Sequence, residues 1–196
     1  FVGRIEPLKG IDTLIQAIDR MCRDGTSVCL AVIGGEPEGG NGHSNNDTDA
    51  QGSEMERLKR LREQAGMTDL VAFLGKRGQD TLPYYYSAEE VLVMPSLYES
   101  FGMVALEAMA CGTPVIASEV GGLGYLVQDE VTGFTIPDSD PQALCDKLSL
   151  LLGDSNRRET MESPRPAWPA GIDDTTSRGR LHLVIAMRDD RPREVE

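Results

Sequence analysis

The chain has 196 residues, 40% of them hydrophobic, and carries 19 Lys and Arg against 32 Asp and Glu, a formal net charge of −13. That length suits one domain with a sizeable buried core. The acidity repels a phosphate-dominated nucleic-acid surface, and no run of about 18 apolar residues offers a membrane span.

No basic, apolar signal peptide opens the chain. It starts on Phe1-Val2-Gly3, which reads as the end of a strand, so the chain is expected to be cut from something longer. Further short, β-branched apolar runs follow at Val28 to Ile33, Leu70 to Leu74, Val91 to Met94, Pro114 to Ala117 and Gly133 to Ile136. Their nearly continuous apolar character predicts strands buried on both faces. Between them, Ile11, Leu14, Ile15 and Ile18 repeat at helical spacing, with Asp12 near the start and Gly25 past the end. Met55, Leu58, Leu61 and Ala65 repeat likewise, with Ser53 as N-cap and Gly66 as the stop. Val104 to Ala110 and Pro141 to Leu152 complete the helices. Strand and helix alternate with short links, which predicts an α/β fold: a Rossmann-like parallel sheet with helices on both faces.

Two segments break the rhythm, so the domain proper is set at 1–162. Residues 34–52 hold almost nothing that packs and are expected to form a flexible surface insertion. Their Asp47-Thr48-Asp49 opening resembles a calcium loop, but Leu58 stands where the bidentate Glu belongs. The tail 163–196 opens with Pro164, Pro166 and Pro169, then carries six Arg and six Asp or Glu. It is expected to be poorly ordered or loosely docked. Cys22, Cys29, Cys111 and Cys145 form no C-x-x-C pair, and His43 and His182 lack ligand-spaced neighbours. Those spacings fit a reduced, cytoplasmic protein without a bound metal.

The densest feature is Glu99-Ser100-Phe101-Gly102, followed by a helix that contains Glu107. In a parallel sheet such a strand-to-helix turn lies at the carboxyl edge, where ligands bind beside helix N-termini. Backbone N–H groups of Gly102, Met103 and Val104 would suit a phosphate there. The two carboxylates would accept sugar hydroxyl protons, although acidic residues favour helix N-termini without any ligand. On the same edge, Gly3-Arg4 and Lys9-Gly10 follow the first strand. Arg4 and Lys9 could offset a diphosphate, or could simply be solvated loop cations. No G-x-G-x-x-G follows that strand, which disfavours ordinary dinucleotide binding.

Gly3-Arg4 with Lys9-Gly10, joined to Glu99, seven residues and Glu107, resembles the donor-binding half of the family 4 retaining glycosyltransferases. Phe73-Leu74-Gly75, Leu82-Pro83-Tyr84-Tyr85-Tyr86-Ser87-Ala88, Met94-Pro95-Ser96, Cys111-Gly112-Thr113-Pro114 and Val120-Gly121-Gly122 extend the resemblance over roughly residues 1–152. Within the family, the flavour is that of sucrose-phosphate synthase, sucrose synthase and the mycothiol-type inositol-phosphate N-acetylglucosaminyltransferase.

The resemblance implies one half of a GT-B fold, and transfer from a nucleoside-diphosphate sugar, UDP-linked, to an unidentified acceptor hydroxyl. It implies that Arg4 and Lys9 hold the diphosphate beside Gly3, and that Glu99 receives the transferred sugar's hydroxyls. Backbone amides of Phe101, Gly102, Met103 and Val104 would contact sugar or phosphate, Glu107 the ribose, and the loop around Lys76 and Arg77 the base. No metal or other cofactor is implied. The acceptor-binding N-terminal Rossmann-like domain is missing, and the 163–196 tail does not match the family's usual closing helix. Two rivals stand beside this reading: a nucleotide-sugar-binding module without turnover, and a GT-B-type sugar-nucleotide epimerase.

Overall fold

A computed structural model describes residues 1–35 and 49–161. The tail expected from Ser163 and most of the insertion expected at 34–52 lie outside the described residues. After the N-terminal segment and a 3-10 turn at Pro7–Lys9 come α1 (Ile11–Arg23), β1 (Leu30–Ile33), α2 (Asp49–Gln64) and β2 (Val71–Gly75). Then follow α3 (Leu82–Ala88), β3 (Leu92–Met94), α4 (Met103–Ala110), β4 (Val115–Ser118), α5 (Leu123–Leu126), β5 (Gly133–Ile136), α6 (Pro141–Gly153) and α7 (Ser155–Met161).

Among the described residues the strands pair in parallel, β1 with β2, and β3 with β4 with β5. Val2 bridges to Ile33 in the same sense, and Ile33 N–H donates to the Phe1 carbonyl at 2.9 Å. Val2 also shares an apolar cluster with Leu92 and Met94, which joins the two sets of strands through the N-terminal segment. Alternation then divides the core. Val93, Ile116 and Phe134 pack with α1, α2, α6 and α7, whereas Leu92, Met94, Val115 and Ala117 pack with α3, α4 and α5. Successive strand residues point to opposite faces, so strands apolar at nearly every position demand helices on both sides. The predicted fold class is therefore the observed one.

Local signals explain most boundaries. Ile11, Leu14, Ile15 and Ile18 are at most 2% exposed, which makes α1 a core helix. Asp140 caps α6 by accepting from the N–H groups of Gln142 and Ala143 at 3.0 and 2.9 Å, with Pro141 in the first turn. One boundary needs correction. Ser53 is not the N-cap of α2, because the helix already begins at Asp49, inside the expected insertion. The added turn, Asp49-Ala50-Gln51-Gly52, carries no proline, and the helix spans Gly52 despite its cost of about 1 kcal/mol. Helices α3, α5 and α7 were not expected from periodicity, since each spans only four to seven residues.

Candidate functional site

Parallel strands deliver their following loops to one edge, and there the turns Pro7–Gly10, Leu97–Gly102 and Val120–Gly122 meet. Leu97 N–H donates to the Leu8 carbonyl at 2.9 Å, and Gly122 N–H donates to the Glu99 carbonyl at 3.0 Å. Lys9 and Glu99, 90 positions apart in sequence, are thereby brought into contact: Lys9 Nζ lies 2.5 Å from Glu99 Oε2. The other carboxylate oxygen, Oε1, accepts the Gly102 N–H at 3.3 Å, and Gly102 is the residue that caps α4.

Lys9 and Glu99 side chains are each only 16% exposed. Burial by itself would raise the Glu99 carboxyl. The Lys9 ammonium and the backbone N–H groups of Phe101 and Gly102 outweigh it and hold the group below the usual carboxylate range. The result is one cation, one carboxylate and one helix N-terminus gathered at the carboxyl edge, where positive partial charge is concentrated.

Glu107 lies one turn into α4 and is half-buried. The Tyr86 hydroxyl donates to its Oε2 at 2.8 Å. Tyr86 is 1% exposed, and its own carbonyl accepts from the Thr113 hydroxyl. Burial, then the bond to Glu107, pushes the Tyr86 phenol well above its usual range, so it remains a donor. Tyr86 stands within the motif at 82–88, which by itself assigns it no role. The available signal was the i, i+4 spacing of Leu82 and Tyr86, which puts both on the inward face of a helix.

The remaining predicted residues are placed as follows. Arg4 is 72% exposed and pairs with Glu6 at 2.9 Å, apart from the Lys9–Glu99 pair. Arg77 donates to the Tyr85 hydroxyl at 2.8 Å and to the Lys76 carbonyl at 3.1 Å. Gly3 N–H is used by the Ile33 carbonyl. Phe101 and Met103 are exposed, and with Leu8, Leu97 and Tyr98 they give the two loops an apolar surface. Val104 packs partly against the α4 cluster. An adjoining groove of about 540 Å³ is lined by Pro7 and Leu97 of these turns together with Asp12, Thr13, Glu54 and Arg57. None of the predicted site residues lines it, and Arg57 there already bridges Glu54 and Asp12 at 2.7 and 3.2 Å.

Among the described residues, no helix is long and apolar enough to cross a membrane. None of the four cysteines forms a disulfide.

The family profile described as Glycosyl transferases group 1 matches residues 1–165. The chain is 42% identical over 164 residues to a D-inositol 3-phosphate glycosyltransferase of Salinispora tropica, covering 81% of this chain and 31% of that protein. Its fold matches sucrose-phosphate synthase from Thermosynechococcus elongatus with a TM-score of 0.72 and 38% identity, covering 83% of this chain and 38% of the other. It also matches Anabaena Alr3699/HepE, solved in complex with UDP, with a TM-score of 0.69 and 27% identity, over 83% and 42% of the two chains. The chain thus spans about a third of the curated relative and about two fifths of each solved structure.

Proposed function

The chain belongs to the group 1 glycosyl transferases, and from that premise we propose that it is the nucleotide-sugar-binding half of a retaining glycosyltransferase. The donor is a UDP-sugar, the acceptor hydroxyl is brought by a second, N-terminal Rossmann-like domain, and the protein acts in the cytoplasm. One observation carries the proposal: the fold unites Lys9, Glu99 and the start of α4 at the edge where a parallel sheet binds its ligand. The UDP complex of a structural neighbour supports the choice of nucleotide.

Breaking the bond between a sugar and a nucleoside diphosphate develops negative charge on the leaving phosphate. Once the donor is bound, an ammonium and helix N–H groups aimed there lower the barrier with no further reorganisation at the moment of reaction. Lys9 supplies the ammonium, and Phe101 to Val104 supply the amides. Arg4, at the surface of the adjoining loop, exchanges Glu6 for a phosphate oxygen. Glu99 accepts hydrogen bonds from hydroxyls of the transferred sugar, and Glu107 accepts from the ribose. Gly3 allows the chain to pass close to the diphosphate, and Arg77 borders the base. Substitution occurs on the same face of the sugar, with a donor phosphate oxygen taking the acceptor's proton. The glutamates are binding groups rather than a hydrolase acid/base pair.

Titration calorimetry with UDP tests the proposal, and measurable binding at or below millimolar concentration is the expected result. Silence toward every nucleoside diphosphate would overturn it. Because protein cations neutralise the diphosphate in this scheme, EDTA is expected to leave the affinity unchanged. An absolute requirement for Mg²⁺ would remove the metal-free part of the mechanism.

The ribose assignment has its own test. With Oε2 of Glu107 bonded to Tyr86, one oxygen is left to meet the ribose. A hydrogen bond to a charged acceptor is worth about 1.5–3 kcal/mol, so Glu107→Gln is expected to weaken UDP about tenfold. Tyr86→Phe keeps the ring but frees the carboxylate to turn. It should lower UDP affinity less, and should shrink the preference for UDP over its 2′-deoxy and 3′-deoxy analogues. An unchanged preference in both variants would detach Glu107 from the ribose.

A further inference from the structure

We propose that Glu99 makes the site prefer a nucleotide sugar over the free nucleoside diphosphate, by holding the same cation that the diphosphate must use. The inference rests on the donor-binding reading above and adds to it a selection between substrate and product. Lys9 Nζ is engaged by Glu99 Oε2 at 2.5 Å, and Oε1 of the same carboxylate takes the Gly102 N–H at 3.3 Å. The carboxylate therefore sits where a phosphate oxygen would be received, between the ammonium and the helix N-terminus. The Leu97–Leu8 and Gly122–Glu99 backbone bonds tie the turns together, so side-chain rotation frees Lys9 without breaking them.

The two ligands differ in what they offer the displaced carboxylate. Free UDP brings a terminal phosphate against Glu99: two anions contest one ammonium, and the loser loses both bonds and turns to water. In a UDP-sugar, the terminal phosphate carries a ring whose hydroxyl donors stand next to it. Glu99 then trades Lys9 and Gly102 for charge-assisted bonds to those hydroxyls. The exchange is compensated for the substrate and uncompensated for the product, so the same carboxylate that receives the sugar also promotes release of UDP after transfer.

The test compares the parent chain with Glu99→Gln, which keeps shape and volume but competes weakly for an ammonium. Calorimetry would measure UDP, inorganic pyrophosphate and the tighter-binding of UDP-glucose and UDP-N-acetylglucosamine. The variant is expected to bind UDP and pyrophosphate severalfold to tenfold more tightly than the parent, and to gain less, or lose, toward the UDP-sugar. The gain should survive at about 1 M salt, where the Debye length is about 3 Å, because the competition is at contact distance. A gain that vanishes at high salt would reduce Glu99 to a distant repulsive charge and overturn the proposal. Equal or weaker UDP binding by the variant would also overturn it while leaving the donor reading intact. Equal gains toward UDP and UDP-sugar would remove the selection. Absence of UDP binding in both chains would instead remove the donor reading on which it rests.

Discussion

Replacing Lys9 by Met is expected to weaken UDP binding about a hundredfold while the chain stays folded. In the proposed complex the ammonium would make a charge-assisted bond to a phosphate oxygen from a mostly buried position, with only 16% of the side chain exposed. Its loss also leaves the Glu99 carboxylate facing the incoming diphosphate with no cation between them. Glu99 itself keeps the Gly102 N–H at 3.3 Å, so the carboxylate is not stranded and the fold should tolerate the change. Adding Glu99→Gln to the Lys9 variant removes the opposing charge and should recover part of the affinity. A Lys9→Met chain that binds UDP like the parent would show that the diphosphate is held elsewhere. The pair also leaves a signature in acid. Its native carboxyl lies below the usual range, so its stabilising contribution is present above the ordinary carboxylate pKa and is lost as pH falls through the depressed native value. Thermal unfolding followed downward from about pH 5 should therefore fall more steeply for the parent than for the Lys9 variant.

How much of this was readable beforehand depends on the range of the interaction. Strands such as Gly133–Ile136 and helices such as Ile11–Arg23 follow from local periodicity, and their positions in the structure agree with it. The carboxyl-edge placement of Lys9 and Glu99 follows from parallel topology alone. Their direct contact does not, because it depends on two loop-to-loop hydrogen bonds between segments far apart in sequence. The i, i+4 spacing of Leu82 and Tyr86 sets Tyr86 apart from Tyr84 and Tyr85 on a helix, but it names no partner for the hydroxyl. Only the packing of α3 against α4 turns Tyr86 inward onto Glu107 and leaves Tyr84 47% exposed. Arg4 and Lys9 are equivalent loop cations in the sequence, yet the fold mostly buries Lys9 and leaves Arg4 in water with Glu6. Side-chain partnership across the edge is thus the part that local sequence rules could not reach.

The turn that presents Glu99 is itself set by a backbone approach that only glycine permits. Gly121 has φ 48°, and a Cβ built there would stand 1.9 Å from the Glu99 carbonyl oxygen. That oxygen accepts the Gly122 N–H at 3.0 Å, so it cannot retreat without breaking the bond that holds the Glu99 turn. Gly121→Ala must therefore displace backbone rather than reorient a side chain. Left-handed backbone at a non-glycine residue costs about 1–2 kcal/mol, and forced overlap in a packed site adds about 1–3 kcal/mol, for a total of about 2–5 kcal/mol. In a domain of this size, about 1 kcal/mol moves the midpoint by roughly 2–4 °C, so the melting temperature should fall by roughly 4–20 °C. UDP affinity of the fraction that remains folded should fall with it, because Glu99, Phe101 and Gly102 move together. Gly25 separates the two contributions: its φ is 85°, but a Cβ there would meet nothing within 4 Å. Gly25→Ala should show the conformational cost alone and leave UDP binding untouched. Matching losses of stability at both positions, with UDP affinity preserved at both, would mean that the Val120–Gly122 turn yields freely and does not set the position of Glu99.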